Sequence, residues 1–294
     1  MMALPFRLGA LDFCTLSEGT GPSETLWQTL ELVRTLEALG YDRYWLSEHH
    51  VAEVAHASPE LLSGILAGLT SRIRVGVAGI LLRYYSPLKV ANDFRLLQAM
   101  FPGRIDLGIA RGAVPEPVAS VLLEERQSEV PFERKVADLL TYLRDTGSVS
   151  AIPLGVVSPQ VWMLGTTSKS THLAARYGTC FCLGLFLASA IKAPANNAIM
   201  EYRSGFRRSP DLHEPHWSVA VAGVCAQTEE KARILAADVN DLVYPSVVGT
   251  PEQCLEAFEQ MRDKYETNEF VFLDVCRAFS DRTRSYQLLA EALA

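Results

Sequence analysis

The chain contains no apolar run of about 18 residues or more, the length a helix needs to cross a bilayer, so no membrane span is expected. It has no excess of basic charge: 27 Lys and Arg stand against 34 Asp and Glu, giving a net charge of −7 and a pI near 5.5. Nucleic acids and anionic membranes attract basic patches, so neither is an expected partner. The opening residues Met1 to Arg7 lack the basic segment and long apolar core of an export signal, and a cytoplasmic protein is expected. No C-x-x-C or paired zinc spacing occurs among the cysteines at 14, 180, 182, 225, 254 and 276. They read as buried, reduced thiols, with Cys180 and Cys182 on one face of a strand. No G-x-G-x-x-G follows a strand, which argues against a dinucleotide fold. A G-x-S-x-G elbow and a P-loop are also absent.

What the sequence does contain is an apolar, mixed-charge chain of 294 residues, 49% hydrophobic and 21% charged. That composition supports a large packed core, and one α/β barrel domain commonly needs about 250 residues. Short β-branched runs alternate with longer amphipathic stretches, the pattern of βα units around a parallel sheet. Strands are expected at Leu8–Phe13, Tyr44–Ser47, Ile73–Leu82, Ile105–Ala110, Val161–Gly165, Cys180–Leu185, Ser218–Cys225 and Phe270–Val275. Several are apolar without alternation, as strands covered on both faces should be.

Helix boundaries are also readable. One helix is expected from a Ser23 cap to Gly40, a second from Ser58-Pro59, and a third from Ser86-Pro87 to Phe101. Thr250-Pro251-Glu252-Gln253 reads as a capping box. Eight units in this length suit a single (β/α)8 TIM barrel over residues 1–294, although an open doubly wound sheet satisfies the same alternation. An irregular excursion is expected at about 112–159, where Ala113 to Pro117 should not be regular helix and Val130–Arg144 should be. It is read either as a lid or as a surface excursion without function.

Four clusters could carry chemistry. Ser47-Glu48-His49-His50 ends the second strand, at the end where barrels place their active sites. His49 and His50 should point apart, so a shared metal is disfavoured; a neutral histidine in a pocket is suited to acid–base work or hydrogen bonding. Structural histidines at a strand end are the plainer alternative. Arg111-Gly112 ends the fourth strand and could grip a phosphate, or pair with a nearby carboxylate. Thr166, Thr167, Ser168, Ser170 and Thr171 crowd the start of a helix after the fifth strand, more hydroxyls than capping requires, and make an anion site there. Ala78-Gly79 in the third strand leaves room for a flat ring or for close backbone packing.

Taken in order, Gly40-Tyr41-Asp42-Arg43-Tyr44-Trp45-Leu46-Ser47-Glu48-His49-His50, Ser71 to Gly79, Pro102 to Gly112 and, more weakly, Val248 to Glu252 resemble the bacterial luciferase-like flavin monooxygenases. The resemblance implies a (β/α)8 barrel binding FMN as FMNH2 supplied by a separate flavin reductase. It implies oxygen insertion into a small organic or natural-product molecule through a C4a-peroxyflavin. By the same resemblance, Arg111, Thr167 and Ser170, with Thr166 beside them, hold the flavin phosphate. The ring lies at a bulge matching Ala78-Gly79, where a non-proline cis peptide is common, and His49 faces the reaction. A homodimer through the second and third helices is implied as well. Two departures matter. Ala110 stands where luciferase carries a cysteine, and the chain is shorter late in the sequence, which truncates the loop after the seventh strand. F420-dependent oxidoreductases and non-catalytic flavin-binding barrels are the alternatives within the same resemblance.

Overall fold

The computed structural model describes residues 6–17, 19–123, 130–187, 197–237, 239 and 243–293. The first strands and helices run β1 (Arg7–Asp12), α1 (Pro22–Leu39), β2 (Arg43–Leu46), α2 (Pro59–Leu69), β3 (Arg74–Leu81), α3 (Pro87–Met100) and β4 (Ile105–Ala110). Then come α4 (Glu116–Leu123), α5 (Phe132–Leu143), β5 (Gln160–Gly165), α6 (Ser168–Tyr177) and β6 (Cys180–Gly184). The chain finishes with α7 (Ala198–Gly205), β7 (Trp217–Cys225), α8 (Glu229–Ala236), β8 (Pro245–Gly249), α9 (Pro251–Tyr265), β9 (Glu269–Asp274) and α10 (Phe279–Leu293).

Strands β1 to β7 pair in sequence and in parallel, β9 bridges β7 and β1, and the sheet closes as an eight-stranded barrel. Closure removes the open-sheet alternative. All eight expected strands are barrel staves. An additional strand, β8, pairs alongside the second half of β7 without entering the ring.

The strands are apolar on both faces because each face meets a different core. Outside, residues such as Leu8, Tyr44, Val75, Ile105 and Phe272 pack against the helices. Inside, Leu11, Trp45, Ala78, Trp162, Cys180, Cys182 and Leu273 fill the barrel, so the two cysteines of the C-x-C do share a face. All six cysteines are free and buried. Burying one large apolar side chain contributes about 1.5–3 kcal/mol, so this double layer is the main source of stability.

Some boundaries differ from those expected. The first helix starts at Pro22 with Gly21 before it, not at a Ser23 cap, because proline's fixed φ suits the first helical position. Pro117 falls inside the first turn of α4, where its missing N–H leaves no bond unmade, so Glu116 and Pro117 are helical after all. The capping box at Thr250 forms, with both reciprocal bonds to Gln253 present. Part of the excursion expected at about 112–159, residues 124–129, lies outside the described residues. The described rest comprises two helices, α4 and α5, and a connection containing a cis peptide at Ile152-Pro153.

Candidate active site

The carboxyl ends of β2, β3, β4 and β5 are consecutive around the barrel, and they carry the four clusters in the same order. At the end of β3 the register against β4 shifts between Val77 and Ile80, and the Ala78-Gly79 peptide is cis. A side chain at position 79 would press within 3.0 Å of the β4 backbone at Gly108 to Ala110, so only glycine fits. Ala78 faces the barrel interior, where its small methyl leaves the wall low.

The β2 end places two histidines on different partners. Ser47 Oγ lies 2.9 Å from His49 Nδ1, and His50 Nε2 lies 2.8 Å from Glu48 Oε1. Glu48 is buried and ties three segments together: besides His50 it accepts the Leu81 N–H at 2.8 Å and the Tyr85 hydroxyl at 2.5 Å. The carboxylate therefore links the β2 end to the β3 end around the bulge. Burial pushes the His49 pKa below the usual histidine value, and His56 and His50 push it further down. The ring is therefore neutral near pH 7, as acid–base or donor work at a pocket wall requires.

Aromatic rings flank His49. Phe13, at the end of β1, lies tilted against the His49 ring at 4.6 Å and meets Phe186 edge-on at 6.0 Å. His56 lies just beyond a short antiparallel contact between Thr15 and Val54, pinned by the Ala55 N–H donating to Cys14 O at 2.9 Å. Both His56 ring nitrogens are buried without a partner among the described residues, and burial lowers its pKa as well. Phe13 and Phe186 escape the reading of the sequence, and His56 is visible there only as a histidine beyond a short loop, outside any H-E-x-x-H spacing. Phe13 was in principle visible, since strand alternation turns it to the same side as Leu11.

The anion-binding candidates sit on the neighbouring strand ends. Arg111 follows β4, with its guanidinium stacked 4.8 Å from the Phe132 ring. Its carboxylate neighbour, Glu133, stands 3.9 Å away, and both side chains are largely exposed. Helix α6 begins at the end of β5. Its cap residue Thr167 makes no side-chain capping bond, and its first turn contains no acidic residue. Ser170 packs over Gly165, where a Cβ would meet its hydroxyl at 2.3 Å, and Thr166 is half-buried beside it. The Thr171 hydroxyl is used internally, donating to Thr167 O at 3.1 Å. First-turn N–H groups, hydroxyls without a partner among the described residues and a half-exposed arginine are the kinds of group that suit a phosphate.

No group of three or more metal-ligating side chains converges among the described residues. No helix there is long and apolar enough to cross a membrane.

A closed parallel barrel with helices around it defines the class as a TIM barrel, and the sequence comparisons narrow it. Residues 6–245 match the model of the luciferase-like monooxygenase family, and the chain belongs to that family. It is 29% identical to the N-acetyl-S-alkylcysteine monooxygenase of Bacillus subtilis (strain 168), over 98% of this chain and 98% of that protein. The crystal structure of apo-MsnO8 superposes with a TM-score of 0.87 at 30% identity, covering 98% of this chain and 99% of the other. Two more distant structures share the fold. One is the oxygenating constituent of 3,6-diketocamphane monooxygenase from Pseudomonas putida in complex with FMN (TM-score 0.78, 16% identity, 98% of each chain). The other is an F420-dependent secondary alcohol dehydrogenase (TM-score 0.65, 15% identity, 100% of each chain). Membership of the family supports an oxidoreductase.

Proposed function

We propose that the chain is a two-component monooxygenase that takes FMN in its reduced form from a separate flavin reductase and oxygenates a small organic molecule. The observation that carries this reading is the juxtaposition at the barrel mouth. A low-walled bulge at Ala78 and Gly79 adjoins an arginine and an uncapped helix start on the next two strand ends. A flat ring with a phosphate tail matches that layout, so the residues present fit FMN. Arg111, Thr166, Thr167 and Ser170 would hold the phosphate, and Ala78 and Gly79 would border the ring.

Bound reduced flavin supplies the electrons that activate dioxygen. The chain's own residues bind it, place His49 at the reacting face, and line that face with Phe13 and Phe186 to keep water away. A homodimer in the cytoplasm is proposed with it. The apolar side chains of Leu61, Ile65, Leu69, Leu96 and Met100 lie exposed on α2 and α3 and would be covered by a second copy.

Titration with reduced FMN and with reduced F420, followed by reductase-coupled oxygen consumption, tests the reading. Tight binding of FMN that weakens about tenfold or more in Arg111→Ala, with riboflavin affinity unchanged, is the expected result. Tight binding of F420 alone would replace the monooxygenase with a hydride-transferring oxidoreductase. FMN turnover yielding only peroxide with every substrate class would point to a flavin-binding barrel without catalysis.

A further inference from the structure

The strand-end serine has no role so far except proximity to His49. Ser47 is buried, and its N–H donates to Asp12 O at 3.1 Å, which fixes the residue against β1. Its hydroxyl has one hydrogen-bond partner among the described residues, His49 Nδ1 at 2.9 Å. The same bond is the one made by the His49 ring, whose Nε2 meets no described residue.

Two proton arrangements satisfy that distance. If Nδ1–H donated to Ser47, the buried hydroxyl hydrogen would have no acceptor. If Ser47 donates to Nδ1, every buried hydrogen is used and only an oxygen lone pair goes unfilled. An unmatched buried donor costs more than an unfilled lone pair on an oxygen, so the second arrangement wins. Because the ring is neutral, it has one proton to place, and that proton goes to Nε2.

We infer that Ser47 is a positioning residue that holds His49 in its Nε2–H form, so that the ring meets its ligand as a hydrogen-bond donor. The inference rests on the reading of His49 as a mouth residue. It narrows what His49 faces to an acceptor oxygen on substrate or cofactor, and makes the ring a hydrogen-bond donor at Nε2 rather than a base. His50 is the contrast within the same motif. Its Nε2 faces the Glu48 carboxylate, which can only accept, so its N–H is spent inside the protein.

The test is long-range proton–nitrogen correlation NMR on the full chain labelled at histidine, with His49→Asn used to assign the signal. Wild type should show His49 protonated at Nε2 and bare at Nδ1. Ser47→Ala should mix the two forms, and Ser47→Thr should restore the wild-type pattern. In coupled turnover, Ser47→Ala should lower kcat about three- to tenfold with KM little changed, and Ser47→Thr should recover it. A protonated Nδ1 in wild type, or an unchanged tautomer in Ser47→Ala, would overturn the inference. The expected tautomer in a protein that binds no flavin would uphold the role of Ser47 while removing the proposed function.

Discussion

Glu269 and Asp274 stand at the two ends of one strand, β9, and their carboxyl groups are displaced in opposite directions. Both are buried, and burial is the largest influence on each, pushing both upward. At Glu269 that push is outweighed. His216 bonds it at 2.7 Å, Arg43 approaches to 2.5 Å and Arg7 to 3.3 Å, and the net shift is downward. At Asp274 the Ser285 and Cys276 hydrogen bonds and the charge of Arg282 compensate only in part, and the carboxyl is pushed up to about 6. One oxygen of each carboxyl has no hydrogen-bond partner among the described residues, but that of Glu269, Oε1, has Arg43 beside it as an ion pair.

The contrast extends to the whole barrel. At the amino end, Asp106 accepts from Arg43 at 2.9 Å, from Trp45 Nε1 at 2.8 Å and from Arg74 at 2.5 Å, and the Arg43 guanidinium stands against both the Trp45 and Trp162 rings. At the carboxyl end, His56 has no partner among the described residues and Arg111 is weakly held. The charged network at one end stabilises the barrel, although Arg43 Nε and Glu269 Oε1 within it have no hydrogen-bond partner among the described residues. Open valences at the other leave polar groups for a ligand to satisfy.

The largest test of this division is Glu269→Gln. It removes a charge that Arg43 needs in a desolvated place, and breaking such a buried pair costs about 3 kcal/mol or more. Urea unfolding at pH 7 should register that loss, with the melting temperature lower by roughly 5–10 °C. The pH dependence should change too. A carboxylate depressed in the folded state stabilises above its ordinary range, and that contribution disappears as pH falls through its folded pKa. The variant should therefore lose less stability than wild type on acidification. A cost below about 1 kcal/mol would show that the amino-end network is not what holds the barrel shut.

The ends also differ in how readable they were from sequence. The barrel staves were legible because burial on both faces leaves an uninterrupted apolar run, as in Val75 to Leu82. Strand β8 was not: it opens Pro245-Ser246 and pairs alongside β7 outside the ring, so it lacks that mark. The mouth motif Ser47 to His50 is contiguous, so its chemistry survives in one dimension. The Glu48 link to Leu81 and Tyr85, the Phe13–Phe186 wall and the Asp106 network join distant segments. Those depend on register and closure, which periodicity does not encode.

Asp274→Asn should act in the opposite sense to Glu269→Gln. Between about pH 4 and 6 the folded protein keeps a proton on Asp274 that the unfolded chain has lost. Stability therefore declines as pH rises through that window and stays reduced above it. The two-unit displacement corresponds to roughly 3 kcal/mol. Losing the attraction to Arg282 offsets much of the gain from removing the charge. The net expectation is about 1 kcal/mol of added stability at pH 7 and none near pH 4, read from urea unfolding at both values. A loss of stability at pH 7 would mean that Asp274 is as well compensated as Glu269, and the distinction between the strand ends would fail.

The smallest expected effect tests the exposed carboxyl-end pair. Glu133 stands 3.9 Å from Arg111, with the two side chains 60% and 42% exposed. An ion pair this open contributes little to stability, so Glu133→Gln should change unfolding by no more than about 0.5 kcal/mol. Its effect should appear in binding instead. Removing the competing carboxylate frees Arg111 for a phosphate, so FMN should bind about twofold more tightly in dilute buffer, and the gain should fade in high salt. Riboflavin, which has no phosphate, should be indifferent to the substitution. Calorimetric titration of both ligands at low and high salt separates the cases. An unfolding cost above about 1 kcal/mol would place Arg111 among the structural charges of the amino end rather than among the groups left open for a ligand.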